Sequence, residues 1–363
     1  MKVRCNDEGP ARRQGNDADG RFSVTCQRKA THIPTILVTG GAGYIGSHVV
    51  KELKRHGYEP IVYDNLQTGH REAVGNGFLV VADLADAETL KKTLRSHSVD
   101  SVMHFSADSL VGESVQNPRK YFNNNVRNGL QLLEILYELK IRNFIFSSSA
   151  AVYGEPDAIP ILEDHPCSPT NPYGETKWIF EKILEAFHAL GKINYISLRY
   201  FNAAGADPDG DLGEDHAAET HIIPLVLKAA LDNTSVRIFG TDYETPDGTC
   251  IRDYIHVTDL ARAHILALKG LIAGKGSGVY NLGNGNGYSV KEVLKTAENV
   301  TGKKIKSYEA IRRPGDPARL VASSDKIQRE LGWSPKYPEL TTIIQTAWEW
   351  HKKHPNGYKT HSA

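Results

Sequence analysis

From Thr35 onward, short apolar runs alternate with longer amphipathic stretches, and the two periods separate strands from helices. Thr35-Ile36-Leu37-Val38-Thr39 breaks off in glycines and reads as a buried strand. Val49, Val50 and Leu53 then recur at helical spacing up to Gly57, and Pro60-Ile61-Val62-Tyr63-Asp64 reads as a second strand ending in an acid. The alternation continues with a strand at Gly77–Val81, a helix at Ala87–Ser96 and a strand at Val99–Phe105. A long amphipathic segment, Asn117–Leu139, carries Val126, Leu130, Leu133, Ile135 and Leu136. The strand Asn143–Phe146 follows. Ile179, Phe180, Ile183 and Leu184 mark another helix, and Leu198–Asn202 ends a sixth strand. Such repetition implies an α/β fold with a Rossmann-type, doubly wound parallel sheet. Ligands bind these sheets beyond the carboxyl ends of the strands, so residues just after each apolar run are the candidates for chemistry.

The pattern divides the chain. Residues 1–33 are polar and turn-prone and read as a disordered N-terminal extension, with neither the apolar core of a secretory signal nor the acid-poor composition of a transit peptide. Residues 34–200 read as the Rossmann domain. Residues 201–358 read as a smaller, mainly substrate-binding α/β portion, some of whose strands and helices return to the sheet. Ser324–Leu331 and Glu339–His351 look like closing helices, with a tail from Pro355.

Composition narrows the class. The 363 residues, 40% hydrophobic, suit a globular core. A formal net charge of zero gives no general attraction to nucleic acid or an anionic membrane surface, so an anionic ligand needs local cations. No apolar stretch approaches the roughly 20 residues of a membrane span. Cys5, Cys26, Cys167 and Cys250 form no C-x-x-C pair, which argues against a disulfide framework or a zinc ribbon. No metal site is read, and a reducing cytoplasm is the expected compartment.

Candidate chemistry sits at the strand ends. The glycines at 40, 41, 43 and 46 fit both G-x-G-x-x-G and G-x-x-G-x-x-G, spacings that let backbone N–H groups approach a pyrophosphate. Asp64 follows Gly46 by eighteen positions, where a carboxylate accepts from ribose hydroxyls and repels a 2′-phosphate, favouring NAD over NADP. Asp83 either accepts from an adenine amino group or serves as a cap or turn residue before Ala87. Asn123-Asn124-Asn125 fills a helix interior poorly, so one or two of these residues are expected to hold backbone or cofactor groups. Tyr173 and Lys177 lie four apart on one helical face, where the ammonium and a cationic nicotinamide are expected to lower the phenol pKa together and make Tyr173 a general acid–base. A serine of the 147–149 turn could bind the same substrate oxygen. Arg252 and Arg313 either contact diphosphate oxygens or pair with Asp253 or Asp316.

Together, Thr39-Gly-Gly-Ala-Gly-Tyr-Ile-Gly46, Ser147-Ser-Ser-Ala-Ala-Val-Tyr-Gly154, Tyr173-x-x-x-Lys177, Arg199-Tyr-Phe-Asn202 and Arg252-Asp-Tyr-Ile-His256 resemble the extended short-chain dehydrogenase/reductases. More narrowly, they resemble the UDP-glucose 4-epimerase family. The resemblance implies a tightly held NAD that is not consumed, and UDP-galactose and UDP-glucose interconverting through a 4-keto sugar that swings about its pyrophosphate. It places Gly40, Gly43, Tyr44, Ile45, Gly46, Asp64, Asn65, Asp83, Leu84, Phe105, Ser106, Ala107, Ser109, Asn124, Ser147 and Phe201 on the cofactor. Tyr173 would move the sugar 4-hydroxyl proton, Ser149 would hold that oxygen, and Lys177 would bind nicotinamide ribose. Asn202, His221, Ile222, Phe239, Arg252, Arg313 and Asp316 would hold the UDP part. Relatives are homodimers joined through two long helices, here within 117–139 and 172–191.

Some positions depart from the family pattern. Ser109 replaces a common lysine, Ala151 a threonine, and Leu320 is of intermediate size where the family tunes acceptance of N-acetylated sugars. UDP-pentose or UDP-N-acetylglucosamine 4-epimerases share nearly every motif. A 4,6-dehydratase would carry Asp-Glu where this chain has Ala150-Ala151, and a non-catalytic NAD-binding module would lack Tyr173 or Lys177.

Overall fold

The first strand sets the layers. In β1 (Thr35–Thr39), Ile36 and Val38 pack with Val49, Val50 and Leu53 on one face of the sheet, while Leu37 packs with Leu90, Leu133 and Phe180 on the other. A strand apolar on both sides must be covered on both sides. A computed structural model describes residues 32–313 and 315–358. The expected extension at residues 1–33 lies outside the described residues but for its last two, as does the tail beyond Tyr358.

The strands in chain order are β1, β2 (Glu59–Asp64), β3 (Phe78–Val81), β4 (Ser101–His104), β5 (Asn143–Ser149), β6 (Asn194–Tyr200), β7 (Asn202–Ala204), β8 (Ser235–Phe239), β9 (Ile251–His256), β10 (Gly278–Leu282), β11 (Gly287–Ser289), β12 (Lys306–Ala310) and β13 (Arg319–Leu320). Seven of them form one sheet in the order β10-β6-β5-β4-β1-β2-β3, every pair parallel. The order reverses between β1 and β4, which opens a crevice at their carboxyl ends. Helices Tyr44–Arg55 and Val257–Ile272 lie on one face, and helices Ala87–Ser96, Gly129–Leu139 and Pro172–Ala189 on the other. The doubly wound α/β expectation is borne out.

β9 pairs with β11, β13 and β7 in a second sheet, and β12 pairs with β8. A third apolar cluster, including Val226, Leu227, Val293, Ile343 and Trp348, closes this part of the molecule. β10 leaves it to join the edge of β6.

The amphipathic segment at 117–139 is interrupted. Pro118–Tyr121 is α-helical, Phe122–Asn128 widens to a π-helix, and Gly129–Leu139 returns to α. The asparagines account for the interruption. Asn125 accepts from the Asp108 N–H (2.9 Å) and donates to the Asp108 carbonyl (2.9 Å) and to Thr176 Oγ1 (3.1 Å), holding the strand-end loop from inside the helix. Among the described residues, no helix is long and apolar enough to cross a membrane.

Candidate active site

The glycine turn fits an anion through its backbone. Gly40 has φ +71°, and a Cβ there would lie 2.6 Å from the Ser106 nitrogen, across the crevice between β1 and β4. A Cβ on Gly46 would lie 2.2 Å from the Gly40 carbonyl oxygen, so helix and strand approach only because both residues are glycine. Helix Tyr44–Arg55 starts at Gly43 with no side-chain cap and no acid in its first turn, which leaves its free N–H groups to a ligand anion.

Asp64 is fixed at the end of β2, accepting from the N–H groups of Ala42 (3.0 Å) and Leu66 (2.8 Å). Burial raises its pKa, and those two bonds oppose the rise. Asn65 Nδ2 donates to Asp83 Oδ2 at 2.7 Å. Asp83 is a turn residue whose Oδ1 accepts from Ala85 N–H at 2.9 Å, and the cap of the next helix is Asp86. Leu84 is buried beside them. These residues, with the uncapped helix, match the shape and charge of a dinucleotide, so the chain fits NAD.

The acid–base group stands where β5 meets helix Pro172–Ala189. Asn171 caps that helix by accepting from Gly174 N–H (2.9 Å), which sets the half-buried Tyr173 on its first turn beside Ser149. Lys177 is buried, and its Nζ donates to the Ser147 carbonyl at 2.8 Å and lies 5.8 Å from the Tyr173 ring centroid. Burial pushes the Lys177 pKa down to about 7 despite the opposing pull of Glu181. Two effects of the chain itself act on the Tyr173 phenol pKa. Burial raises it, and the hydrogen bond with Ser149 is what opposes the rise, because the lysine bonds a backbone carbonyl instead of the phenol. Ser147 Oγ bonds the Tyr200 hydroxyl, and Asn124 Nδ2 donates to Asp108 Oδ2 at 3.0 Å.

Ser148 faces away from the cavity and donates to Glu181 Oε1 at 2.5 Å. Glu181 takes Arg199 in a fork of contacts at 3.0, 3.2 and 2.6 Å, Arg199 donates to Tyr153 (2.9 Å), and Tyr153 donates to Asn281 on β10 (2.7 Å). Neither Glu181 nor a role for Arg199 is among the expectations drawn from the motifs. The place of Glu181 four residues after Lys177 was the available signal.

Farther along, the cavity turns basic and aromatic. Arg313 stacks 4.0 Å from the Phe239 ring centroid. Arg252 pairs with Asp316 and donates to the Ile251 carbonyl at 2.7 Å. It does not pair with Asp253, whose buried carboxylate accepts from the N–H groups of Asn284, Gly285 and Ala322. Asn202 Nδ2 donates to the Asp253 carbonyl at 2.9 Å, beside the buried Phe201. His221 is the N-cap residue of helix Ile222–Asp232.

All the residues expected on the cofactor and on UDP border one cleft of ≈ 1410 Å³, including Ile45, Phe105, Ala107, Ser109 and Ile222. Glu214, His216 and Glu219 border it too. Only His221 of this group was expected at the site, although the Glu-x-His-x-x-Glu-x-His spacing from Glu214 is visible in the sequence.

A glycine turn at the switch point of a parallel sheet, open to a Tyr/Lys/Ser group, defines a nicotinamide-dependent enzyme of the extended Rossmann type. The chain belongs to the NAD dependent epimerase/dehydratase family, whose model matches residues 36–283. A UDP-glucose 4-epimerase of Halalkalibacterium halodurans is 53% identical over 326 residues, covering 90% of this chain and 98% of that protein. The structure of a Brucella ovis UDP-glucose 4-epimerase in complex with NAD superposes with a TM-score of 0.84 at 46% identity, over 87% of this chain and 97% of that one. A Bifidobacterium longum UDP-glucose 4-epimerase in complex with NAD+ and UDP gives 0.84 at 38% identity, over 89% and 99%. The kinship expected from the motifs is borne out.

Proposed function

We propose that this chain is a UDP-glucose 4-epimerase that interconverts UDP-galactose and UDP-glucose with NAD as a resident cofactor. The observation that carries this reading is the single cleft in which Tyr173, Ser149 and Lys177 stand between the glycine turn and the Arg252/Arg313/Phe239 end. Gly40, Gly43 and Gly46 with the helix N-terminus would hold the pyrophosphate of NAD, Asp64 its adenosine ribose, and Lys177 its nicotinamide ribose. NAD, when bound, supplies a hydride acceptor and then a hydride donor at the sugar carbon.

The chain supplies the rest. Tyr173 takes the proton of the sugar 4-hydroxyl and later returns it, and Ser149 holds that oxygen by a hydrogen bond. The positive charge of the oxidised cofactor would join the Ser149 hydrogen bond in favouring the phenolate and offset the burial that otherwise keeps Tyr173 protonated. Arg252 and Arg313 grip the diphosphate while the 4-keto sugar turns over its other face to Tyr173. Residues 34–200 serve mainly the cofactor and 201–358 mainly the UDP-sugar. The protein works in the cytoplasm as a homodimer joined through helices Gly129–Leu139 and Pro172–Ala189, and light scattering tests that association.

Leu320 and Ala151 border the cleft, so sugar range is mapped on UDP-arabinose and UDP-N-acetylglucosamine as well. The deciding experiment incubates purified protein with UDP-galactose and no added NAD, and follows UDP-glucose by chromatography. Conversion without added cofactor supports both the reaction and a retained NAD. Failure on all three sugars, with NAD supplied, overturns the reading in favour of a binding module.

A further inference from the structure

Among the described residues, two groups of side chains bring metal-ligating atoms together: Asp207/Asp209/Asp211 and Glu214/His216/Glu219/His221. The first already holds a cation, since Lys51 Nζ lies 2.5, 3.0 and 3.0 Å from its three carboxylates. The second has the chemistry of a metal centre.

Its four donor atoms all lie within 4.8 Å of one another. Both imidazoles present Nδ1 to the same two carboxylates. His216 Nδ1 stands 3.4 Å from Glu214 Oε1 and 3.2 Å from Glu219 Oε2, and His221 Nδ1 stands 2.5 Å from Glu214 Oε1 and 3.6 Å from Glu219 Oε1. Around a tetrahedral ion with bonds of about 2.0–2.2 Å, neighbouring ligands sit roughly 3.4 Å apart. The two separations from His216, to Glu214 Oε1 and to Glu219 Oε2, lie near that value, Glu219 Oε1 being held by the N–H groups of Thr220 and His221, and the His221–Glu214 contact would open on metal entry.

Two imidazoles with two carboxylates balance a dication and suit a borderline first-row ion, whereas Mg²⁺ and Ca²⁺ prefer oxygen throughout. The Glu214 side chain is 4% exposed and that of His221 52%, which gives a held floor and an open path of entry. We propose that Glu214, His216, Glu219 and His221 bind one Zn²⁺-like dication. With four protein ligands the ion is closed to substrate, hence structural, and His221, ligating through Nδ1, could meet the UDP part only through its other ring nitrogen or its backbone. It staples the stretch between β7 and helix Ile222–Asp232 at the lip of the cleft. That stretch meets the glycine turn, where the Tyr44 hydroxyl donates to the Gly205 carbonyl (2.6 Å) and the Tyr44 ring lies 6.5 Å from that of His216.

The test strips untagged protein with a chelator and titrates it with Zn²⁺ and with Co²⁺. The expected result is one equivalent per chain, intense visible bands of tetrahedral Co²⁺ and a higher melting temperature with metal. The double variant H216A/H221A should bind at least about 100-fold more weakly and lose the bands. Asp209→Asn/Asp211→Asn should keep both. Absence of stoichiometric uptake by the unmodified protein, a weak octahedral Co²⁺ spectrum, or equal uptake by H216A/H221A overturns the proposal and leaves plain imidazole–carboxylate pairs. Should H216A/H221A lose its circular-dichroism signature, Glu219→Gln replaces it, with the same loss of Co²⁺ bands expected.

Discussion

The Nζ of Lys177 donates to the main-chain carbonyl of Ser147 at 2.8 Å, so the helix that carries Tyr173 is tied to the end of β5 by a buried amine. That tie is held at a cost. Its folded pKa of about 7, against the ordinary 10.5, means that between those values the unfolded chain carries a proton that the folded chain lacks. Stability therefore rises with pH across this window. Lys177→Met should inactivate the enzyme yet melt higher in nucleotide-free protein. The gain should be on the order of a few kcal/mol below pH ~7 and fade towards pH ~10.5. Melting curves across that range check the sign, and a gain that grew with pH would contradict it.

Tyr173→Phe removes the hydroxyl that moves the substrate proton and leaves the ring in place. Turnover should fall by roughly 10²–10⁴-fold, with NAD still co-purifying. Single-turnover assays with bound-nucleotide analysis separate the two effects.

Neighbouring serines should behave differently. Ser149 faces Tyr173, whereas Ser148 is wholly buried and donates to Glu181. Ser149→Ala should lower kcat by about tenfold or more at little change in melting temperature. Ser148→Ala should lower stability by about 1–3 kcal/mol and leave kcat nearly intact. Equal kcat losses would mean that the β5 end as a whole, not the Ser149 hydroxyl, supports the chemistry.

Glu181 and Arg199 have side chains only 3% and 4% exposed and form a forked ion pair. Glu181→Gln strands a buried guanidinium and should destabilise by about 3–5 kcal/mol. Denaturant unfolding measures it, and a loss below 1 kcal/mol would show that water or Tyr153 compensates.

Much of the sheet was legible because its strands are apolar on both faces and end in glycine, acid or serine, as at Thr39-Gly40, Tyr63-Asp64 and Phe146-Ser147. The smaller sheets were not. β13 has two residues, β7 and β11 three each, and β12 reads Lys-Ser-Tyr-Glu-Ala, exposed along most of its length. Such strands exist through their partners, which no local pattern records. The same holds within the site. Tyr173 and Lys177 announce themselves by helical spacing, but the carbonyl that Lys177 bonds depends on where separate segments meet. The Asn123–Asn125 run signalled an irregular helix, and only the fold shows that Asn125 grips the Asp108 backbone while Asn124 bonds its carboxylate.

Because β10 comes from residues 278–282 yet covers β6, the boundary near residue 200 cannot serve as a place to cut the protein. A fragment ending there would present the bare backbone of β6 and half of the face that Val257–Ile272 covers. An open apolar edge of that kind recruits other strands, so the fragment would be expected to self-associate and precipitate on expression. The two portions are thus expected to unfold together, in one transition.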